Sequence, residues 1–336
     1  MERIAFLLAG TGRPVFWRDI ILCMGVAAAV FLLLALRLAD RQPVFPALLL
    51  IPAAGAASLY AGRALHWYCC PESYGSFRAA VGDLAAGGLS LIGVIAGTLA
   101  VCLLFRAVRL IRDLPALLDE LAAAGSLGIA AGRMCELFGN GDRGKMIFSR
   151  AALHRLPFAA AAVNPVSGEA EWRFASFCFQ SMAAGAIFLL LMLRRLRRAA
   201  RREEDPGGDF WLFLALYSLS EILLDSTRYD ALFLRSNGFV SLEQIAGLAA
   251  AVLMMAAFSV PVLRRGGAGR LCGACWTLFA GGFGLVGYME YYVQRHGEAY
   301  VFAYSLMAAG LLSAFIGLWT VRRCARRLPA GAPAEG

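Results

Sequence analysis

The sequence predicts an all-α, polytopic integral membrane protein of about nine transmembrane helices, and three observations lead there. Hydrophobic residues make up 60% of the 336 positions and charged residues only 16%, a balance far from that of a soluble domain. Nine apolar stretches approach or exceed the roughly 20 residues that cross a hydrocarbon core. Arginine clusters follow every second stretch, the bias that orients multi-pass proteins.

The first stretch, 15–37, lacks a short apolar core with a small-residue cleavage site and reads as a retained helix. The second and third, 44–68 and 79–105, are rich in small residues. Gly93 and Gly97 give a G-x-x-x-G spacing that lets helix backbones approach closely. The fourth, 115–138, carries Asp119, Glu120, Arg133 and Glu136. The fifth, 174–193, leads into a polar linker, Arg201 to Gly208, whose acids, proline and paired glycines read as a turn. The sixth, 209–226, carries Glu221 and Asp225, and the seventh spans 240–263. In the eighth, 271–292, Cys272 and Cys275 form a C-x-x-C inside an apolar helix, which reads as core packing. The ninth, 299–321, precedes a tail, 328–336, that reads as disordered.

The clusters at Arg37 and Arg41, Arg106 to Arg112, Arg194 to Arg202, Arg264 to Arg270 and Arg322 to Arg327 place the amino terminus outside and the carboxyl terminus in the cytoplasm. The segment 132–145 then emerges at the outer face. The net charge of +9 follows from this topology and from attraction to anionic lipid of the bilayer, with no need of nucleic acid. Nine cysteines and three scattered histidines suggest neither a disulfide framework nor a metal site, and no cofactor is expected.

Segment 132–145 carries the strongest functional signal, because ionisable residues at membrane depth cost several kcal/mol and usually pair, line wet cavities and serve function. Arg133 and Glu136, three residues apart on a helix, share a face and can pair. The turn that follows supplies Asn140, Gly141, Asp142, Arg143, Gly144 and Lys145, where glycines permit a reversal and basic residues supply donors for a phosphate. In the sixth segment Tyr217, Glu221, Asp225 and Arg228 are spaced four, four and three, along one side of a helix. Together the two segments could enclose a cavity in which Arg133 and Arg228 hold phosphate while Glu136, Glu221 and Asp225 act as acids or bases. Arg63, near the outer end of the second stretch, either contributes to it or snorkels to the headgroups.

In order and spacing these segments resemble the prolipoprotein diacylglyceryl transferase family. Four carry the likeness: Ala61 to Tyr68; Gly87 to Gly93; Gly132 to Lys145; and Tyr217 to Arg228 followed by Ser241 to Gln244. Several positions depart from the family pattern. Ile92 stands where it has histidine, Glu136 where it has asparagine, Glu221 where it has arginine and Asp225 where it has glutamate. The family's other glutamate falls on Gly141 unless Asp142 substitutes by a one-residue shift. The resemblance implies a seven-helix transferase-like domain over 1–265, an added carboxyl-terminal hairpin over 266–327 and residence in a bacterial cytoplasmic membrane. It further implies phosphatidylglycerol as donor and a prolipoprotein cysteine as acceptor. Arg133, Arg228 and Asp225 would be catalytic, with Arg63, Glu136, Asn140, Asp142, Arg143, Tyr217 and Glu221 binding substrate. The departures keep two other readings open: a relative that binds lipid or lipoprotein without catalysis, and a transporter.

Overall fold

The computed structural model describes residues 4–7, 14–83, 88–147, 154–164, 167–235, 237–265, 268–296 and 299–327; the tail read as disordered and Gly87 lie outside these. Its helices are α1 (Trp17–Ala39), α2 (Phe45–Cys69), α3 (Phe77–Gly82), α4 (Leu91–Ala107), α5 (Leu114–Met134), α6 (Ser176–Arg201), α7 (Gly208–Ser226), α8 (Leu242–Arg265), α9 (Gly269–His296) and α10 (Tyr300–Arg327). Among the described residues, seven are long and apolar enough to cross a membrane: α1, α2, α5, α6, α8, α9 and α10. The other two expected spans fall short. Helix α4 is apolar but only 17 residues long, and α7 places Asp209, Glu221 and Asp225 within 19 residues.

Two expected helices end differently. The stretch 79–105 is divided, because α3 closes at Gly82 and α4 begins afresh with Ser90 accepting from Gly93 N at 3.5 Å. Ser90 N also donates to Gly62 O at 3.1 Å, which returns the loop to α2. The stretch 115–138 stops being α-helical at Met134 and continues as a 3₁₀ turn, Cys135–Phe138. Three antiparallel hairpins were not expected: β1 (Ile4–Leu7) with β2 (Pro14–Phe16), β3 (Ala159–Val163) with β4 (Ala170–Phe174), and β5 (Phe233–Leu234) with β6 (Asn237–Ser241).

The chain forms two compact units. The first comprises Met1–Phe213 and Thr227–Glu243, the second Leu214–Ser226 and Gln244–Gly336. Within the first, α2 packs on α4, and α5 packs on α1 and α6. The G-x-x-x-G spacing works as a packing device. A Cβ at Gly93 would lie 2.5 Å from Ala61 O, and one at Gly97 2.6 Å from Ala57 O. Within the second, α9 packs on α10, and Leu219 and Ile222 of α7 join Val286, Met289, Val293, Met307 and Leu311 in one apolar cluster.

At the amino-terminal end of α5, the buried acids are structural. Asp119 accepts from Gly207 N at 2.9 Å, Asp209 N at 2.9 Å and Phe210 N at 2.8 Å, so it satisfies the orphan donors at the start of α7. Arg194 and Arg198 of α6 reach Asp205 and Asp209. Glu120 lies 3.3 Å from Arg37 Nε of α1.

Candidate functional site

The opposite end of α5 is built around one carboxylate. Arg133, in the last turn of α5, places Nη1 2.7 Å from Asp142 Oδ2. Arg228 places Nη2 2.7 Å from Asp142 Oδ1. Each carboxylate oxygen therefore takes one guanidinium. Asp230 completes the cluster by accepting from Arg228 Nε at 3.1 Å and from Asp142 N at 2.8 Å.

The backbone explains how residues from separate segments converge. Asp142 has φ +53°, a left-handed conformation that aspartate tolerates better than most residues. It lets one residue present its N–H to Asp230, its carboxylate to the arginines and its carbonyl to Phe177 N at 2.9 Å, in the first turn of α6. Gly144 then pairs with Arg228 in an isolated antiparallel bridge, while Gly144 N donates to Phe174 O at 2.7 Å and Tyr229 N to Arg143 O at 3.1 Å. No side chain fits at 144. A Cβ there would lie 2.7 Å from Ser176 Oγ and 2.8 Å from both Phe174 Cβ and Thr227 O.

Burial acts to raise the carboxyl of Asp142, but the Arg133 and Arg228 guanidiniums overcome it and hold the group below the usual aspartate range. Asp142 thus stays anionic at neutral pH and anchors the two arginines.

Arg143, 2% exposed, donates from Nη2 to Gly139 O at 2.9 Å and to Glu136 O at 3.3 Å, with its guanidinium 4.8 Å from the Phe177 ring centroid. Its Nε and Nη1 are buried without a hydrogen-bond partner. Burial lowers its pKa, opposed by the charge of Glu136. The expected pairing of Arg133 with Glu136 is replaced. Because α5 ends at Met134, the helical spacing no longer governs Glu136, and its Oε2 accepts from Gly141 N at 3.0 Å instead. Asn140 is exposed in the same loop.

Arg63 is buried rather than snorkelling. It donates to Gly88 O at 2.8 Å, reaches Asp83 O, and lies 3.4 Å from Tyr74 Oη, which ties the loop between α2 and α4 to α2. Tyr217, Glu221 and Asp225 are buried in the second unit. Arg228 does not continue their helical face, since α7 ends at Ser226 and Arg228 belongs to the first unit.

Two acids escaped the sequence reading. Asp230 follows Arg228 by two residues, a usable signal that a search by helical spacing passes over. Glu290 of α9 accepts from Gln244 Nε2 at 3.2 Å and Gln294 Nε2 at 2.7 Å in the second unit. Its signal was a lone acid in an apolar stretch.

Residues 6–260 match the family of prolipoprotein diacylglyceryl transferases. The chain belongs to that family. No match emerges among curated proteins. Membership, with the seven apolar helices, makes this a multi-pass membrane protein of diacylglyceryl-transferase type. Arg63, Arg133, Asp142 and Arg228 all lie inside the matched stretch, whereas α9 and α10 lie beyond it.

Proposed function

We propose that this family member moves the diacylglyceryl group of phosphatidylglycerol to a cysteine thiol of a prolipoprotein and releases glycerol-1-phosphate. The observation that carries this reading is the convergence of Arg133 and Arg228 on the two oxygens of one carboxylate, 2.7 Å each. Two guanidiniums set on one oxygen pair suit a phosphodiester, which offers the same two-oxygen geometry. Asp142 fixes their positions before substrate arrives, so they need little reorganisation as charge develops on the leaving phosphate.

In the proposed step the acceptor thiol passes its proton to the carboxylate of Glu136. The thiolate attacks the diacylglyceryl carbon, a C–S bond forms, and the C–O bond breaks with its electrons retained by the phosphate oxygen. Arg143, Arg63, Asn140, Tyr217 and Glu221 are the further substrate-binding candidates. In the proposed orientation the Arg133 end of α5 faces outward from a bacterial cytoplasmic membrane, with the amino terminus outside.

The test is transfer of labelled diacylglyceryl from phosphatidylglycerol to a lipobox peptide by purified protein, beside folded Arg133→Ala and Arg228→Ala variants. Transfer lost in both supports the reading. Binding of phosphatidylglycerol without transfer by wild type favours the second reading, a lipid-binding relative, for which Ile92 at the family's histidine position is the motivating observation.

A further inference from the structure

The hairpin of β3 and β4 stands beside the arginine cluster, and its two edges differ. On the far side of β4, Ile147 N donates to Trp172 O at 2.9 Å, Phe174 N to Lys145 O at 3.0 Å and Gly144 N to Phe174 O at 2.7 Å. Trp172 and Phe174 therefore turn their backbone groups away from β3. In the register Ala159↔Phe174 and Ala161↔Trp172, opposed residues of an antiparallel pair both face inward or both face outward. Ala159, Ala161 and Val163 thus direct their backbone groups away from β4. The bond from Ala175 N to Phe158 O at 2.9 Å sets the same alternation. Ala159 N is taken by Arg155 O at 3.0 Å. Among the described residues no strand pairs with the outer side of β3, which leaves Ala161 and Val163 as an open edge.

A cavity of about 350 Å³ lies against this strand, lined by Ala159, Ala160, Ala161, Leu137, Arg143 and Trp172 among others. Successive strand side chains point to opposite faces. A cavity that touches three consecutive residues therefore follows the edge of β3 as well as one face. Alanine side chains keep it open, Leu137 and Trp172 make part of its wall apolar, and Arg143 adds a basic side chain to its lining. An open edge beside an apolar pocket is the arrangement that takes an extended peptide as an added strand, the backbone supplying affinity and alternate side chains specificity.

We infer that the outer edge of β3 is the docking site for the acceptor polypeptide, which binds as an extended strand with small side chains directed into the cavity. The inference rests on the proposed reaction only in taking the acceptor to be a polypeptide.

The test measures binding of a fluorescent lipobox peptide to the full-length wild-type protein in lipid nanodiscs, with a series of peptides each methylated on one backbone nitrogen. The expected result is an alternation: methylation at every second residue weakens binding by about tenfold, the loss of a well-made hydrogen bond and its fit, and methylation between them has no effect. Ala161→Pro should reproduce the loss while keeping the unfolding temperature, because proline is tolerated where its missing N–H faces away from the ladder. A flat response across the methylated series overturns the inference, whether or not Ala161→Pro folds. Alternation without transfer to the unmodified peptide would leave the docking site standing and sink the reaction. Transfer with a flat series would do the reverse.

Discussion

The two ends of α5 make an instructive pair, since both bury acids among arginines yet arrange them differently. At the first end, Asp119 takes three backbone N–H groups at the start of α7, and Arg194 and Arg198 sit on Asp205 and Asp209. These charges join helix ends to one another. Roughly 20 Å along the axis, at 1.5 Å per residue, two arginines from separate segments meet on a single carboxylate held by a left-handed loop residue. A cavity stands beside that cluster. The difference is what separates a structural network from a candidate site: the first matches acids to helix termini, the second concentrates cations on one oxygen pair next to open space.

The sharpest way to break the comparison is Asp142→Ala. It leaves two buried guanidiniums facing each other without their shared partner, which should cost about 3–5 kcal/mol in unfolding and abolish transfer. Unchanged melting and transfer would put both ends in the same structural class. Gly144→Ala comes next. Overpacking against Ser176, Phe174 and Thr227 O should cost about 1–3 kcal/mol and slow transfer through displacement of Arg228, readable by unfolding and rate on one sample. Asp119→Asn sharpens the contrast from the other side. Its carboxamide keeps one acceptor, so stability should fall by about 1 kcal/mol while transfer per folded molecule holds; a large loss of transfer would mean this end also serves the reaction.

The smallest expected effect is in acid. The folded pKa of Asp142 is depressed below the ordinary 3.8, so its stabilisation is present above that pH and is lost as pH falls through the folded value. Below about pH 3.8 wild type should therefore lose stability more steeply than Asp142→Asn. Parallel slopes in a pH series of unfolding midpoints would contradict the assigned coupling.

Much of the bundle was legible because helical apolarity is a local property. Each of the nine expected stretches overlaps one long helix among the described residues, though only seven of these are long and apolar enough to cross a membrane, and the glycine spacing in α4 marked a close helix approach that the structure contains. The hairpin of β3 and β4 was hidden because Ala159 to Ala162 shows no apolar and polar alternation. The break between α3 and α4 was hidden because hydropathy passes over a serine cap. In the candidate site, Arg133 and Arg228 meet on Asp142 and not through the acids that helical spacing offers. Helical spacing assigned Glu136 to Arg133 and aligned Arg228 with Asp225, and both helices stop before those relations apply.

By itself the sequence determined a chain that must lie in a membrane, the apolar stretches that become its long helices, and the arginines too costly to be there without a purpose, because burial cost and helix length depend only on composition along the chain. Only the tertiary structure decided that Asp142 and Asp230 hold those arginines and that, among the described residues, no strand pairs with the outer side of β3. Those relations join residues as far as 88 positions apart, through loop conformations and strand pairings that no local periodicity encodes.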